Sequence, residues 1–206
     1  VYPTLSKDRG PLVQLMQETN KVRIKGPGDT DLSFSIKNMP VSKDVGERNL
    51  PDGEISTAPI KESVNGKIHY NLPVIFYGQE LRDIVLDFRQ GRVESMSCQN
   101  QQALERLLNQ DQGARYVGEF ALGVNPYINR PVKDILFDEK MNGTLHLAQG
   151  NSYGIWNNGN RSCVHLDFIL SQTEEFCGGE LIFDGKVIRK EGRFVLDELQ
   201  HLNLKL

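Results

Sequence analysis

Cysteine and histidine are scarce in this chain. Its 206 residues include three cysteines and four histidines. Cys98, Cys163 and Cys177 are widely spaced and form no CxxC pair. So odd and sparse a set argues against a disulfide framework and against a thiolate zinc site. It points instead to a reducing compartment, the cytoplasm. With only His69, His146, His165 and His201 available, any metal site must lean on carboxylates. A surplus of either charge is also missing. The 24 Lys and Arg against 27 Asp and Glu leave a net charge of -3, which gives no electrostatic case for a nucleic acid or an anionic membrane as partner. No apolar run approaches membrane-spanning length, and no signal peptide, internal repeat, low-complexity tract or charge block is visible.

What is present is ordinary for a soluble globular protein: 38% hydrophobic and 25% charged residues. Without an interior linker, a single domain over residues 1–206 is expected. Leu12, Leu15, Met16 and Thr19 predict a short helix over 9–20. Leu32, Phe34 and Ile36 alternate with polar residues as a half-buried strand does. Residues 49–59 read as a loop holding at most one short strand, and Pro73 interrupts a strand pair. Ala103, Leu104, Leu107 and Leu108 predict a helix within 100–112 that ends at Gly113, and a short helix is expected near 132–138. Turns at Gln90-Gly91 and Asp184-Gly185 predict hairpins, and another turn is expected at Glu191-Gly192. Strands outnumber helices, so the fold class is α+β: a β-rich, mostly antiparallel sheet or barrel-like domain with a few short helices.

The stretch "SCVHLDFIL", residues 162–170, carries the first chemical signal. As a strand it points Val164, Leu166, Phe168 and Leu170 to one side and Cys163, His165, Asp167 and Ile169 to the other. The bland reading is a solvated face. The sharper one is two metal ligands held about 6–7 Å apart at their Cα atoms, on a strand anchored by its apolar side. An imidazole with a carboxylate suits zinc, cobalt or manganese. His146 lies between Leu145 and Leu147, as a core-edge histidine or as a second imidazole ligand. Glu119, in "GEFALG", sits in too apolar a context to be merely wet. Glu54, in "PDGE", follows an Asp-Gly turn, where a glutamate is usually solvated. Tyr153, in a Gly/Asn/Ser loop, is either surface packing or a phenol donor to an oxyanion. Glu139, in "FDEKMNG", reads as a surface residue of a charged cluster. Together Glu54, Glu119, His146, His165 and Asp167 suggest a dispersed site. Two divalent ions there would leave a net charge near about +1, suited to binding a hydroxide. A Cys163–His165 nucleophilic pair is the weaker reading, since it has no third orienting group.

Six ordered segments, "RIKGPGDTDLSFSIKNMP", "NLPDGEISTAP", "GARYVGEFALGVNPYI", "ILFDEKMNGTLHLAQGNSY", "NRSCVHLDF" and "GGELIFDGKVIRKEGRFV", resemble the C-terminal half of the M29 metallo-aminopeptidases. They run from about Val22 to Leu196. The resemblance implies a pair of divalent metals, zinc or cobalt with manganese or magnesium as alternatives, held by Glu54, Glu119, His146, His165 and Asp167. It also implies Tyr153 as the active-site tyrosine and Glu119 as a ligand that could carry a proton to the leaving amine. The implied reaction removes the N-terminal residue of a peptide, and the implied assembly is a homodimer. Family members resemble chains about twice this length that begin with an α/β domain. With that domain absent and Val1 in first place, a catalytic half is expected. The alternative function is a dimerising, metal-binding domain without catalysis of its own.

Overall fold

Alternation sets the first strands. In β1 (Lys21–Gly26) Val22 and Ile24 are buried while Lys21 and Arg23 are exposed. In β2 (Thr30–Ser35) Leu32 and Phe34 are buried. The two pair antiparallel, with Val22 opposite Phe34 and Ile24 opposite Leu32, so every apolar side chain reaches one face. In this computed structural model, residues 9–44, 46 and 49–203 are described.

A helix, α1 (Gly10–Glu18), precedes β1. Then follow β3 (Ser42–Asp44), β4 (Glu54–Thr57), β5 (Asn65–Tyr70), β6 (Val74–Phe76), β7 (Gln79–Leu81), β8 (Ile84–Arg89) and β9 (Arg92–Ser97). The second half holds α2 (Gln101–Leu108), β10 (Val117–Gly123), α3 (Ile135–Asp138), β11 (Thr144–Gly150), β12 (His165–Ser171), β13 (Glu180–Phe183), β14 (Lys186–Lys190) and β15 (Arg193–Phe194). The helices are shorter than the spacing predicts. Thr19 turns to extended backbone and feeds β1. Asn100 caps α2 by accepting from the Ala103 N–H at 3.3 Å, and Asp134 caps α3 by accepting from the Leu136 N–H at 3.0 Å. The two expected hairpins form, the turn at Glu191-Gly192 joins β14 to β15 as a third, β4 is the short strand of the 49–59 loop, and Pro73 separates β5 from β6.

The strands make an eight-stranded sheet in the order β15-β14-β13-β1-β2-β5-β8-β9, a five-stranded sheet β12-β11-β10-β4-β3, and the ribbon β6-β7. All pairings between these strands are antiparallel. Each large sheet ends in two different edge strands, so neither closes and the barrel-like alternative gives way to open sheets. Their apolar faces meet. Phe34 of β2 and Phe120 of β10 touch edge to face with ring centres 5.0 Å apart, and Tyr70 of β5 and Phe168 of β12 lie 5.4 Å apart. One continuous cluster of buried apolar side chains joins both sheets, α1 and α2. Among the described residues no helix is long and apolar enough to cross a membrane.

Candidate metal centre

The five-stranded sheet has a second face, turned away from that core. On β12 it carries His165 and Asp167, while Phe168 and Leu170 are buried on the core side. β11 places Gly150 opposite His165, Ala148 opposite Asp167 and His146 opposite Ile169. β10 places Glu119 opposite Ala148 and Ala121 opposite His146. β4 places Glu54 opposite Gly123 and Ser56 opposite Ala121. Charged groups thus alternate with glycine, alanine and serine, which leaves a bowl between the strands.

Two glycines make that geometry fit. A β-bulge falls between Val117 and Glu119. There a Cβ on Gly118 would lie 2.4 Å from the Asn151 carbonyl oxygen, so only glycine fits. That carbonyl accepts a hydrogen bond from His165 Nδ1 at 2.8 Å, which aims Nε2 into the bowl. At Gly123 a Cβ would lie 2.3 Å from the Met141 carbonyl oxygen. Its absence lets the turn after α3 cross the bowl's rim.

That turn corrects one expectation. Glu139 is not a surface residue: it is only 6% exposed, and its carboxylate meets the ammonium of the fully buried Lys140. Lys140 Nζ also donates to Glu54 Oε1 at 3.1 Å. Cys163 differs too. It precedes β12 in an exposed position, and hydrogen bonding to Asp111 pushes its thiol up, away from a nucleophilic thiolate.

The five candidate ligands and Glu139 converge. His146 Nε2 lies 3.7 Å from Glu54 Oε2, 3.7 Å from Asp167 Oδ1 and 3.9 Å from Glu119 Oε1. His165 Nε2 lies 3.4 Å from Glu119 Oε2 and 3.7 Å from Asp167 Oδ1. Two ligand sets form among the described residues, Glu119–His165–Asp167 and Glu139–His146–Asp167, with the ligand atoms of each within 4.8 Å of one another. Asp167 belongs to both. Tyr153 stacks at the edge, its ring 4.5 Å from the His165 ring, and is half-exposed.

Burial and crowding shift every group. Burial raises Glu54 to about 7 and also raises Asp167 and Glu139. It works against the charge of Glu119 too, but His146 and His165 outweigh it and hold that carboxyl at about 2. Burial disfavours the histidine cations, yet the surrounding carboxylates raise His146 to about 10 and His165 to about 9. For Lys140, Glu54 and Glu139 overcome burial and raise the ammonium's pKa. Burial and the nearby carboxylates push Tyr153 up to about 12.

The sequence model of the thermophilic metalloproteases (M29) matches residues 12–194. This chain belongs to the M29 metalloprotease family. It is 33% identical over 167 residues to Aminopeptidase T of Thermus thermophilus, covering 72% of this chain and 40% of that protein. It is 32% identical over 145 residues to Aminopeptidase 2 of Geobacillus stearothermophilus, covering 61% and 35%. The solved structure of wild-type AmpT from Thermus thermophilus matches with a TM-score of 0.79 at 26% identity, over 94% of this chain and 55% of that one. A 2,5-dihydroxypyridine dioxygenase from Pseudomonas putida KT2440 reaches the same TM-score, 0.79, at 12% identity over 95% and 60%, a likeness of fold alone. The M29 chain spans about 40% of the length of its curated relatives.

An M29 metalloprotease implies a divalent metal, and the residues present fit one. Glu54 Oε2 and Asp167 Oδ1 are buried without a hydrogen-bond partner, a costly state that a cation at the carboxylates relieves. Ligands at about 2.0–2.2 Å from a tetrahedral ion stand roughly 3.3–3.6 Å apart. The nitrogen–oxygen separations of 3.4 to 3.9 Å are close to that edge and too long for good hydrogen bonds. A surface cleft of about 670 Å³ beside Lys61, Arg92, Arg115 and Arg161 is lined by none of these ligands.

Proposed function

We propose that this M29 domain removes N-terminal residues from peptides by metal-assisted hydrolysis. The observation that carries the reading is the pair of three-residue ligand sets sharing Asp167, on a rigid sheet of this family. Divalent ions bound there, zinc or cobalt (or manganese or magnesium), would polarise the scissile carbonyl and generate hydroxide near neutral pH. Glu54, Glu119, His146, His165 and Asp167, with Glu139 added, are the proposed ligands.

Each residue's environment suits its part. The His165 ring is fixed by the Asn151 carbonyl, so Nε2 is the nitrogen left for the metal. Tyr153, with its pKa pushed up to about 12, stays protonated and can donate to the developing oxyanion. Glu119 lies 3.9 Å from His146 Nε2 and 3.4 Å from His165 Nε2, and is the proposed ligand that could also carry a proton to the leaving amine. The substrate is a peptide with a free N-terminus, following the relatives called aminopeptidases. A single domain, a homodimer and a cytoplasmic site are the accompanying proposals. Three free cysteines support the last, and the family resemblance supports the dimer.

The test is metal content together with hydrolysis of a leucyl-anilide. The protein is expected to hold two ions per chain, lose activity to a chelator and regain it with zinc or cobalt. His165→Ala should lose both ion and activity. A folded chain that takes up no metal at saturating zinc or cobalt would defeat the reading and favour a non-catalytic module.

A further inference from the structure

Lys140 is a fully buried cation beside a site built to receive cations, and the reaction has no evident use for it. Its ammonium offers three hydrogens. One goes to Glu54 Oε1 at 3.1 Å and another to Glu139 Oε1. That leaves Glu54 Oε2 without a hydrogen bond, 3.7 Å from His146 Nε2. It also holds Glu139 inward, where the carboxylate completes a set with His146 and Asp167.

We propose that Lys140 is a positioning residue of the metal centre: it makes Glu139 a ligand and presents Glu54 through a single oxygen. The proposal rests on the metal-dependent reading above. Without the ammonium, two carboxylates that shared one cation would face each other across the bowl. Repulsion would turn one of them out, and the His146 set would lose a ligand. The Glu119–His165–Asp167 set touches neither oxygen that Lys140 holds, so it should be spared.

The turn itself does not depend on the ammonium. Asp138 accepts from the Val132 and Lys133 N–H groups at 2.7 and 2.9 Å. The Lys140 carbonyl accepts from the Asn125 N–H at 3.0 Å, and Thr144 Oγ1 donates to the Met141 carbonyl at 2.7 Å. Removing the side-chain charge should therefore disturb the ligands before it disturbs the fold.

The experiment titrates zinc into the metal-free full chain against a competing chelator. The variants are Lys140→Met, Lys140→Arg, Glu139→Gln and the Lys140→Met/Glu139→Gln pair, each checked for folding by circular dichroism. The first ion should bind Lys140→Met as it binds the parent, while the second weakens roughly 10–100-fold. Lys140→Arg should recover part of that loss. Glu139→Gln should reproduce the selective weakening, and the double variant should add little to it. Should Lys140→Met fail to fold, Lys140→Gln replaces it with the same expected pattern. A second ion bound equally or more tightly without the ammonium, or an equal loss of both ions in a folded chain, overturns the positioning role. A parent chain that binds no zinc at all instead brings down the metal-dependent reading, and this proposal with it.

Discussion

The strands β10, β11 and β12 show two faces that share a backbone and little else. On one, Phe120, Leu122, Leu145, Leu147, Phe168 and Leu170 are buried and touch the facing sheet. On the other, Glu119 and His146 are nearly as withdrawn from water and Asp167 is part-buried, but they carry charge, and His146 Nδ1 and Asp167 Oδ1 have no hydrogen-bond partner. The first face lowers the free energy of folding; the second raises it wherever its charges go uncompensated. The contrast shows how the domain tolerates its site. The cost of collecting carboxylates and imidazoles in one bowl is offset by the apolar packing directly behind them. The same alternation that buries a leucine delivers a ligand one residue later.

Substitutions on the two faces should therefore separate cleanly. The largest effect belongs to the packed face: Phe168→Ala removes a fully buried ring that touches Tyr70. It should cost about 3–5 kcal/mol, seen as a lower midpoint in denaturant, and take metal binding down with the fold. An unchanged midpoint would refute the role given to that face. Tyr153→Phe is next. It keeps the ring beside His165 and deletes only the hydroxyl, so kcat should fall about 10²–10³-fold with unchanged metal content and stability. A rate within a factor of about two of the parent would remove Tyr153 from the chemistry.

The third test is a pH trend. Without metal, Glu54 ionises at about 7 rather than at its usual 4.5, so stability declines as pH rises across that interval. The raised pKa values of His146 and His165, about 10 and 9, contribute stability that is complete below 6.5 and is lost as pH climbs through them. Glu119 acts with the opposite sign, but only near and below 4.5. The chelated chain should therefore melt at progressively lower temperature from about pH 6 to 10, and the zinc-loaded chain should show a flatter profile. Scanning calorimetry decides this; a melting temperature of the chelated form that climbs over the same range contradicts it.

The contrast also explains what could be read in the sequence. The His165–Asp167 pair was legible because a strand's period of two is local, and Glu119 because its neighbours are Phe120, Ala121 and Leu122. Glu54 and His146 became persuasive only through family resemblance, since a glutamate after Asp-Gly and a histidine between leucines have ordinary explanations. Glu139 was illegible. Flanked by Asp138 and Lys140, it reads as solvated surface. Its burial depends on the missing side chain at Gly123 and on an ammonium that pairs with it only after the turn folds over the bowl. Strand order was hidden for a similar reason. β1 pairs with β13 across most of the chain, and no local pattern announces so distant a neighbour.

Because the ligand candidates come from β4, β10, β11, β12 and the turn after α3, none of these segments can grip an ion alone. A slip of β12 by one residue against β11 would point His165 and Asp167 into the hydrocarbon interior and turn Phe168 outward. A bound ion would then lose two of its ligands in a single movement. Metal in this domain would serve as a gauge of alignment, held only while neighbouring strands keep their places to within one residue.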